Sequence, residues 1–179
     1  MKKSNILLIC FSLLVVFCGC NSNDEIETTV EECQSSEGTV NIMPLGASRV
    51  QGLRPVYESY RYELWKDLID GGWSINYVGN EKDFTQYDSY QNFCFDSDHE
   101  GHGGWTSTQI NNEIERWLNE TEMSDIVLFS SPGGNDALQG KPLESILPNI
   151  NAIINKIQSH NPNITILLEQ MAPGKSSFM

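Results

Sequence analysis

The sequence predicts an α/β fold, a three-layer α/β/α sandwich with a parallel sheet at its centre. Three observations predict it. Short apolar runs alternate with longer amphipathic stretches from about residue 39 onward, the β-α-β-α-β-α-β pattern of a parallel sheet. One run, Ile126-Val127-Leu128-Phe129, is continuously apolar, as suits a strand covered on both faces. Glycine-containing segments follow three of the runs, and in such sheets sites form beyond the carboxyl ends of the strands.

The first 20 residues stand apart from that pattern. Lys2 and Lys3 form a basic start, residues 6–17 are apolar, and Gly19 precedes Cys20. The apolar stretch is shorter than the ~20 residues a membrane-spanning helix needs, so it reads as an export signal. Hydrophobic–small–Cys at its end resembles a bacterial lipobox, with Cys20 as the lipidated residue; Phe17 stands where Leu is usual. The resemblance implies an exported protein, lipid-anchored to the bacterial outer membrane or cell surface and touching membrane through that anchor only. Ordinary cleavage to a free secreted protein is the alternative. Residues 21–38 are polar, acidic and unpatterned, which predicts a flexible tether. The predicted domain then occupies residues 39–179.

Within the domain, Val40-Asn41-Ile42-Met43-Pro44-Leu45 reads as the first strand, ending at Gly46. Residues 57–70 follow as a helix, with Tyr57, Tyr60, Leu64, Leu68 and Ile69 on one stripe and Gly71-Gly72 as its stop. Residues 74–79 form the second strand, and residues 80–104 a long polar, aromatic loop of the kind that is usually functional or disordered. Thr106 and Gln109 have capping-box spacing, and Ile110, Ile114, Trp117 and Leu118 line one face of the helix they open. The Ile126–Phe129 strand breaks at Pro132-Gly133-Gly134-Asn135-Asp136. Residues 143–160 form the third helix, which Pro148 is expected to start or to kink. Residues 163–171 form the fourth strand.

The chain of 179 residues carries a net charge of −13. That balance disfavours nucleic acid and anionic membrane surfaces and is compatible with neutral substrates such as sugars and esters. Of the five cysteines, Cys10 and Cys18 lie in the export signal and Cys20 at its end. Cys33 and Cys94 remain and can pair in an oxidising compartment. No Cys-x-x-Cys or His/Cys cluster suggests a structural zinc site.

Three residues carry candidate chemistry. Ser48 lies two residues past Gly46, where a strand-to-helix turn can lift a hydroxyl clear of the sheet; a cap or turn role is the plainer reading. Gly104, just before the helix opened by Thr106, can offer an unobstructed backbone N–H to a developing oxyanion, or simply make a tight turn. Asn135 can offer a side-chain N–H to the same oxyanion, or form a turn in which Asp136 caps a helix. Leu45-Gly46-Ala47-Ser48, then Gly101-His102-Gly103-Gly104-Trp105-Thr106-Ser107, then Gly133-Gly134-Asn135-Asp136 occur in that order at strand ends. Together they resemble the blocks of the SGNH (GDSL-like) hydrolases. Asn41-Ile42-Met43-Pro44-Leu45-Gly46, Tyr60-Arg61-Tyr62-Glu63-Leu64-Trp65-Lys66-Asp67-Leu68 and Ile75-Asn76-Tyr77-Val78-Gly79-Asn80 are similar to its carbohydrate-esterase branch. Asp98-His99-Glu100-Gly101-His102-Gly103-Gly104-Trp105-Thr106 is similar to acetylxylan-esterase-type members.

The resemblance spans about residues 40–173. It implies an SGNH, flavodoxin-like fold and a serine ester hydrolase that removes acyl groups, acetyl above all, from carbohydrate. Ser48 would be the nucleophile, Gly104 and Asn135 oxyanion donors, and no cofactor or metal would be needed. An acylated carbohydrate or small ester would be the partner, and nucleic acid none. Trp105, Tyr87, Tyr90 and Phe93 are candidates to stack on sugar. Two departures stand out: Ala47 replaces the family's usual Asp before the nucleophile, and the family's C-terminal Asp-x-x-His block has no counterpart. A serine needs a base, yet His99 and His102 read as solvated loop residues rather than substitutes, and His160 as a helix-end residue. A C-terminally truncated, incomplete domain is therefore expected, ahead of a natural inactive relative. A non-catalytic glycan-binding surface lipoprotein of the same fold is the main alternative. A phosphate- or nucleotide-binding module lacks a glycine loop with a Lys to support it.

Overall fold

The computed structural model describes residues 34–35 and 40–170. The export signal, Cys20, the tether's Cys33 and the last nine residues lie outside these. The elements in chain order are β1 (Gln34–Ser35), β2 (Val40–Gly46), α1 (Ser48–Gln51), α2 (Arg61–Asp70), β3 (Ile75–Tyr77), β4 (Glu81–Lys82), β5 (Phe93–Cys94) and β6 (Asp98–Gly101), then α3 (Ser107–Glu120), β7 (Ile126–Phe129), α4 (Gly134–Leu138), α5 (Leu143–His160) and β8 (Thr165–Leu168).

The sheet is parallel through β6, β2, β7 and β8, with β3 also parallel to β2 and β4 antiparallel at the β6 edge. β2 is its axis. Its first half pairs with β3, its last two residues with β6, and its other edge with β7. The period of two along a strand sorts its side chains. Met43 and Leu45 join Val127 and Phe129 under α3 and α5, together with Ile110, Ile114, Trp117, Ile150, Ile153 and Ile157. Ile42, Ile75 and Tyr77 face the other way, onto Trp65 of α2. Helices therefore flank both faces of the sheet, the predicted sandwich. Each fully buried aliphatic or aromatic side chain stabilises it by about 1.5–3 kcal/mol.

Several expectations need correction. The first helix starts at Arg61, not near residue 57, because residues 53–57 close a turn on themselves: Leu53 N–H donates to Tyr57 O at 2.9 Å and Tyr57 N–H to Leu53 O at 3.0 Å. Its buried residues are Arg61 and Trp65, while Leu64, Leu68 and Ile69 are only half-buried. β7 is not covered equally on both faces. Val127 and Phe129 are sealed, while Ile126 and Leu128 are half-buried on the α2 side. Pro148 does not start α5, which runs from Leu143 to His160. Finally, residues 80–104 are not simply a loop. β4 and β6 pair within them, and β6 enters the main sheet beside β2.

Tyr90, Phe93 and Phe95 of that last segment pack on the Trp65 cluster, but its strand β6 is held by polar contacts, which is why its pattern reads as loop. Arg61, fully buried, donates to Val50 O at 2.7 Å, Gln51 O at 3.1 Å and Ser97 O at 2.8 Å, and pairs with Asp83 at 2.6 Å. Glu100, also fully buried, accepts from Asn80 N–H at 2.9 Å. Buried charges need such partners. Cys94 is disulfide-bonded; Cys33, its expected partner, lies outside the described residues, although the adjacent β1 pairs with β5.

Candidate functional site at the carboxyl ends of the strands

β2 delivers its chain to α1 through Gly46 and Ala47, and Ser48 is the first residue of that single-turn helix. Val50 N–H and Gln51 N–H both bond to Ala47 O at 3.0 Å, which leaves the N–H of Ser48 without a partner inside the helix, as at any helix start. The Ser48 hydroxyl also has no hydrogen-bond partner among the described residues. The turn is braced from below by β6. A Cβ on Gly101 would come within 2.5 Å of Gln51 N, so only glycine lets the strand pass this close to α1. Arg61 holds the other end of the turn through the carbonyls of Val50 and Gln51.

Asn135 lies in α4, after β7, and lines the same cavity as Ser48. This cavity, about 320 Å³, is completed by Ala47, Arg49, Ser131, Gly134 and Leu138. One hydrogen of the Asn135 amide is committed: Nδ2 donates to Trp105 O at 2.8 Å. That bond fixes the side chain and leaves its second N–H as a donor. Arg49 pairs with Glu169 at 2.9 Å, and Glu169 accepts the Ser131 N–H at 3.0 Å, so the ends of β7 and β8 are tied to α1.

Gly104 is not among the residues lining that cavity, but its segment is bound to both of its neighbours. His102 N–H donates to Gly46 O at 3.0 Å and Gly103 N–H to Gln51 Oε1 at 3.0 Å. Trp105 carries the Asn135 bond already described. Gly104 has φ of 80° with open space where a Cβ would stand, a conformation glycine adopts freely. Two residues of the Gly133–Asp136 stretch thus flank this segment. Asn135 holds Trp105, and Asp136, 1% exposed, accepts the Ser107 N–H at 2.6 Å and pairs with Lys141 at 2.9 Å. Burial raises the Asp136 carboxyl, but the Ser107 N–H and the Lys141 ammonium outweigh it and hold it below its ordinary value. The expected cap role for Asp136 falls on α3 rather than on a helix of its own. The predicted capping box of Thr106 and Gln109 is also present.

The two loop histidines are not solvated. His99 is buried; Gly101 N–H donates to its Nδ1 at 3.0 Å, and Nε2 faces Asp83 at 3.3 Å. Burial lowers its proton affinity, partly countered by Asp83, so the ring is neutral and donates from Nε2. Burial pushes Asp83 up, yet hydrogen bonds from His99 and Tyr87 and the Arg61 charge bring it down to about 2. His102 bonds Glu100 at 2.7 Å and stacks on Trp105 and Trp117 at 4.5 and 4.3 Å. Neither ring is hydrogen-bonded to Ser48. His160 ends α5. Of the aromatic residues considered for sugar, Trp105 packs on His102 and Trp117, and Tyr90 bonds Asp70. Phe93 sits in β5 with Cys94, and Tyr87 donates to Asp83 at 2.5 Å beneath Arg54.

Sequence reasoning missed Arg61, Asp83 and Glu100. Arg61 had a visible signal: it sits four residues before Trp65, on the face α2 buries, where a charge demands a partner.

No family model matches the chain, and no curated protein matches it. Solved structures do. A carbohydrate esterase family 3 structure from Talaromyces cellulolyticus is 29% identical, covering 72% of this chain and 60% of its own, with a TM-score of 0.61. A family 3 carbohydrate esterase of Clostridium thermocellum is 32% identical, covering 80% and 65%, with a TM-score of 0.60. The SGNH-hydrolase family esterase AlinE4, at 22% identity over 72% of this chain and 57% of its own with a TM-score of 0.55, shares the fold. The chain spans less than two thirds of the length of each of these structures.

Proposed function

We propose that this chain, an SGNH-like relative of the carbohydrate esterases, carries the nucleophile and oxyanion site of a serine ester hydrolase acting on acylated carbohydrate. The observation that carries the reading is the pairing of Ser48 and Asn135 on one cavity, with Gly104 beside it. The hydroxyl of Ser48 attacks the carbonyl carbon of the ester and forms the C–O bond of a tetrahedral intermediate. In this reading the oxyanion is stabilised by the N–H of Ser48, the N–H of Gly104 and the second amide hydrogen of Asn135. Such donors act strongly because they need no reorganisation. Collapse expels the sugar hydroxyl and leaves an acyl-serine, which water then hydrolyses.

The attack also needs an acceptor for the Ser48 proton. His99 and His102 are committed to Asp83 and Glu100, so the acceptor has to come from outside the described residues. The same observation supports a second reading, a glycan-binding surface protein that uses this cleft without turnover. Export and lipid attachment at Cys20 belong to both readings.

Hydrolysis of p-nitrophenyl acetate and acetylated xylan by the protein and by Ser48→Ala decides between them. Turnover that disappears in Ser48→Ala supports the hydrolase. Turnover that is unchanged rejects Ser48 as nucleophile, and sugar binding without any turnover supports the second reading.

A further inference from the structure

Leu138, the last residue of α4, lines the cavity shared by Ser48 and Asn135 and is 86% exposed. Among the described residues that line this cavity, it is the only large apolar side chain, and Arg49 is the only charged one. Arg49 is engaged: it pairs with Glu169 at 2.9 Å and donates to Ser131 Oγ at 3.3 Å. Leu138 stands three residues after Asn135, the spacing that puts two side chains on one helix face.

The short helix that carries both residues is pinned along its length. Before it, Gly133 passes α5 so closely that a Cβ there would collide with Ile146. Within it, Asn135 donates to Trp105 O at 2.8 Å and Asp136 accepts the Ser107 N–H at 2.6 Å. After it, Lys141 N–H donates to Asp136 O at 3.0 Å and closes the turn toward α5. The backbone at Leu138 is thus fixed relative to the Asn135 amide.

A single exposed leucine is unremarkable on a surface. One that shares a cavity with a side-chain amide donor is a wall for whatever a bound carbonyl carries. An ester carbonyl carries two groups. The alcohol portion of a carbohydrate ester is rimmed with hydroxyls, which lose water beside a leucine and gain no hydrogen bond there. The hydrocarbon of the acyl group has no such loss and gains by covering apolar surface. The methyl of an acetyl group covers little of a leucine, and a longer chain covers more.

We propose that Leu138 sets the acyl specificity of this site, covering the hydrocarbon of an acyl group longer than acetyl, of the butyryl class. The proposal rests on the hydrolase reading, which places the carbonyl at Asn135.

The test needs no turnover. Acetamide, propionamide and butyramide are stable analogues of the acyl portion, and their affinities are read by NMR titration of the full chain. Burial of one methylene strengthens binding by at most about fourfold, so butyramide, partly covered, is expected to bind about five- to tenfold more tightly than acetamide. Leu138 is exposed, so its truncation spares the core. Leu138→Ala is expected to remove the gain and Leu138→Met to keep it. Leu143→Ala, at an exposed leucine that does not line the cavity, is expected to change nothing. No binding of butyramide, equal affinity for acetamide and butyramide, or a gain that survives in Leu138→Ala overturns the proposal. The hydrolase reading fails separately. A Leu138-dependent gain in a protein whose ester turnover ignores Ser48→Ala keeps the acyl subsite and removes that reading. Turnover lost in Ser48→Ala, with equal kcat/KM for p-nitrophenyl acetate and butyrate, does the reverse.

Discussion

At Ser48 the chemistry depends on what the backbone does around it. A serine after a strand is commonplace; one whose hydroxyl and N–H have no partner among the described residues, and which lines one cavity with a side-chain amide, is not. Asn135→Ala is expected to lower kcat on p-nitrophenyl acetate by about 10²–10³-fold, the usual loss for one oxyanion donor, with a smaller change in KM; equal kcat in both proteins would remove Asn135 from the site. His99 makes a prediction about pH. Its folded proton affinity lies below the ordinary 6.5, so the fold favours the neutral ring. Its contribution is fully present above about pH 6.5 and is lost as pH falls below that. Asp83, held at about 2 against an ordinary 3.8, adds a loss that sets in below 3.8. Urea denaturation from pH 7.5 to 4.5 should therefore show falling stability, and His99→Gln should flatten the fall. An unchanged slope would mean that other groups control it.

At the scale of elements, two helices carry local conflicts with measurable consequences. Pro148 lies inside α5, where its ring meets the preceding turn and the carbonyl of Glu144 lacks its helical donor. Pro148→Ala is expected to stabilise the protein by about 1–3 kcal/mol in urea denaturation, less than the full cost of proline because alanine also frees the unfolded chain. A destabilised variant would show that proline is needed there. α3 is held at its N-terminus from another element, by the carboxylate of Asp136. Asp136→Asn keeps the shape and removes the charge, and a loss of about 1–2 kcal/mol is expected, visible as a lower melting temperature. Because Asp136 adjoins Asn135, this variant also tests whether the Gly104 segment shares that anchor.

At the scale of the whole molecule, Arg61 joins α2, α1 and the strand segment leading into β6 through one guanidinium. Arg61→Leu leaves Asp83 without its cation and three carbonyls without a donor. A loss of about 3–5 kcal/mol is expected, measured by chemical denaturation; a loss under 1 kcal/mol would show that water replaces the arginine readily. Much of this architecture was legible in the chain. The strands of β2, β7 and β8 follow from apolar runs, and the buried face of α3 from its 3.6-residue spacing, because burial of apolar area imposes those periods. The polar strand β6 was not legible. Nothing in Asp98-His99-Glu100-Gly101 signals burial until Arg61, Asp83 and Asn80 are brought to it from elsewhere in the chain.

The three short blocks around Ser48, Gly104 and Asn135 were legible for a related reason. Each sits at the end of a parallel strand, and parallel connection brings those ends to one side of the sheet. So the sequence by itself determined the layers, the strand ends and the candidate residues they carry. Only the tertiary structure decided which groups are engaged. It put Ser48 and Asn135 on one cavity, withdrew His99 and His102 into side-chain contacts with Asp83 and Glu100, and made Arg61 the brace of the Ser48 turn. Periodicity reports where a side chain faces, whereas Ser97 and Asp83, partners of buried Arg61, and Ser107, partner of buried Asp136, lie 22 to 36 residues away.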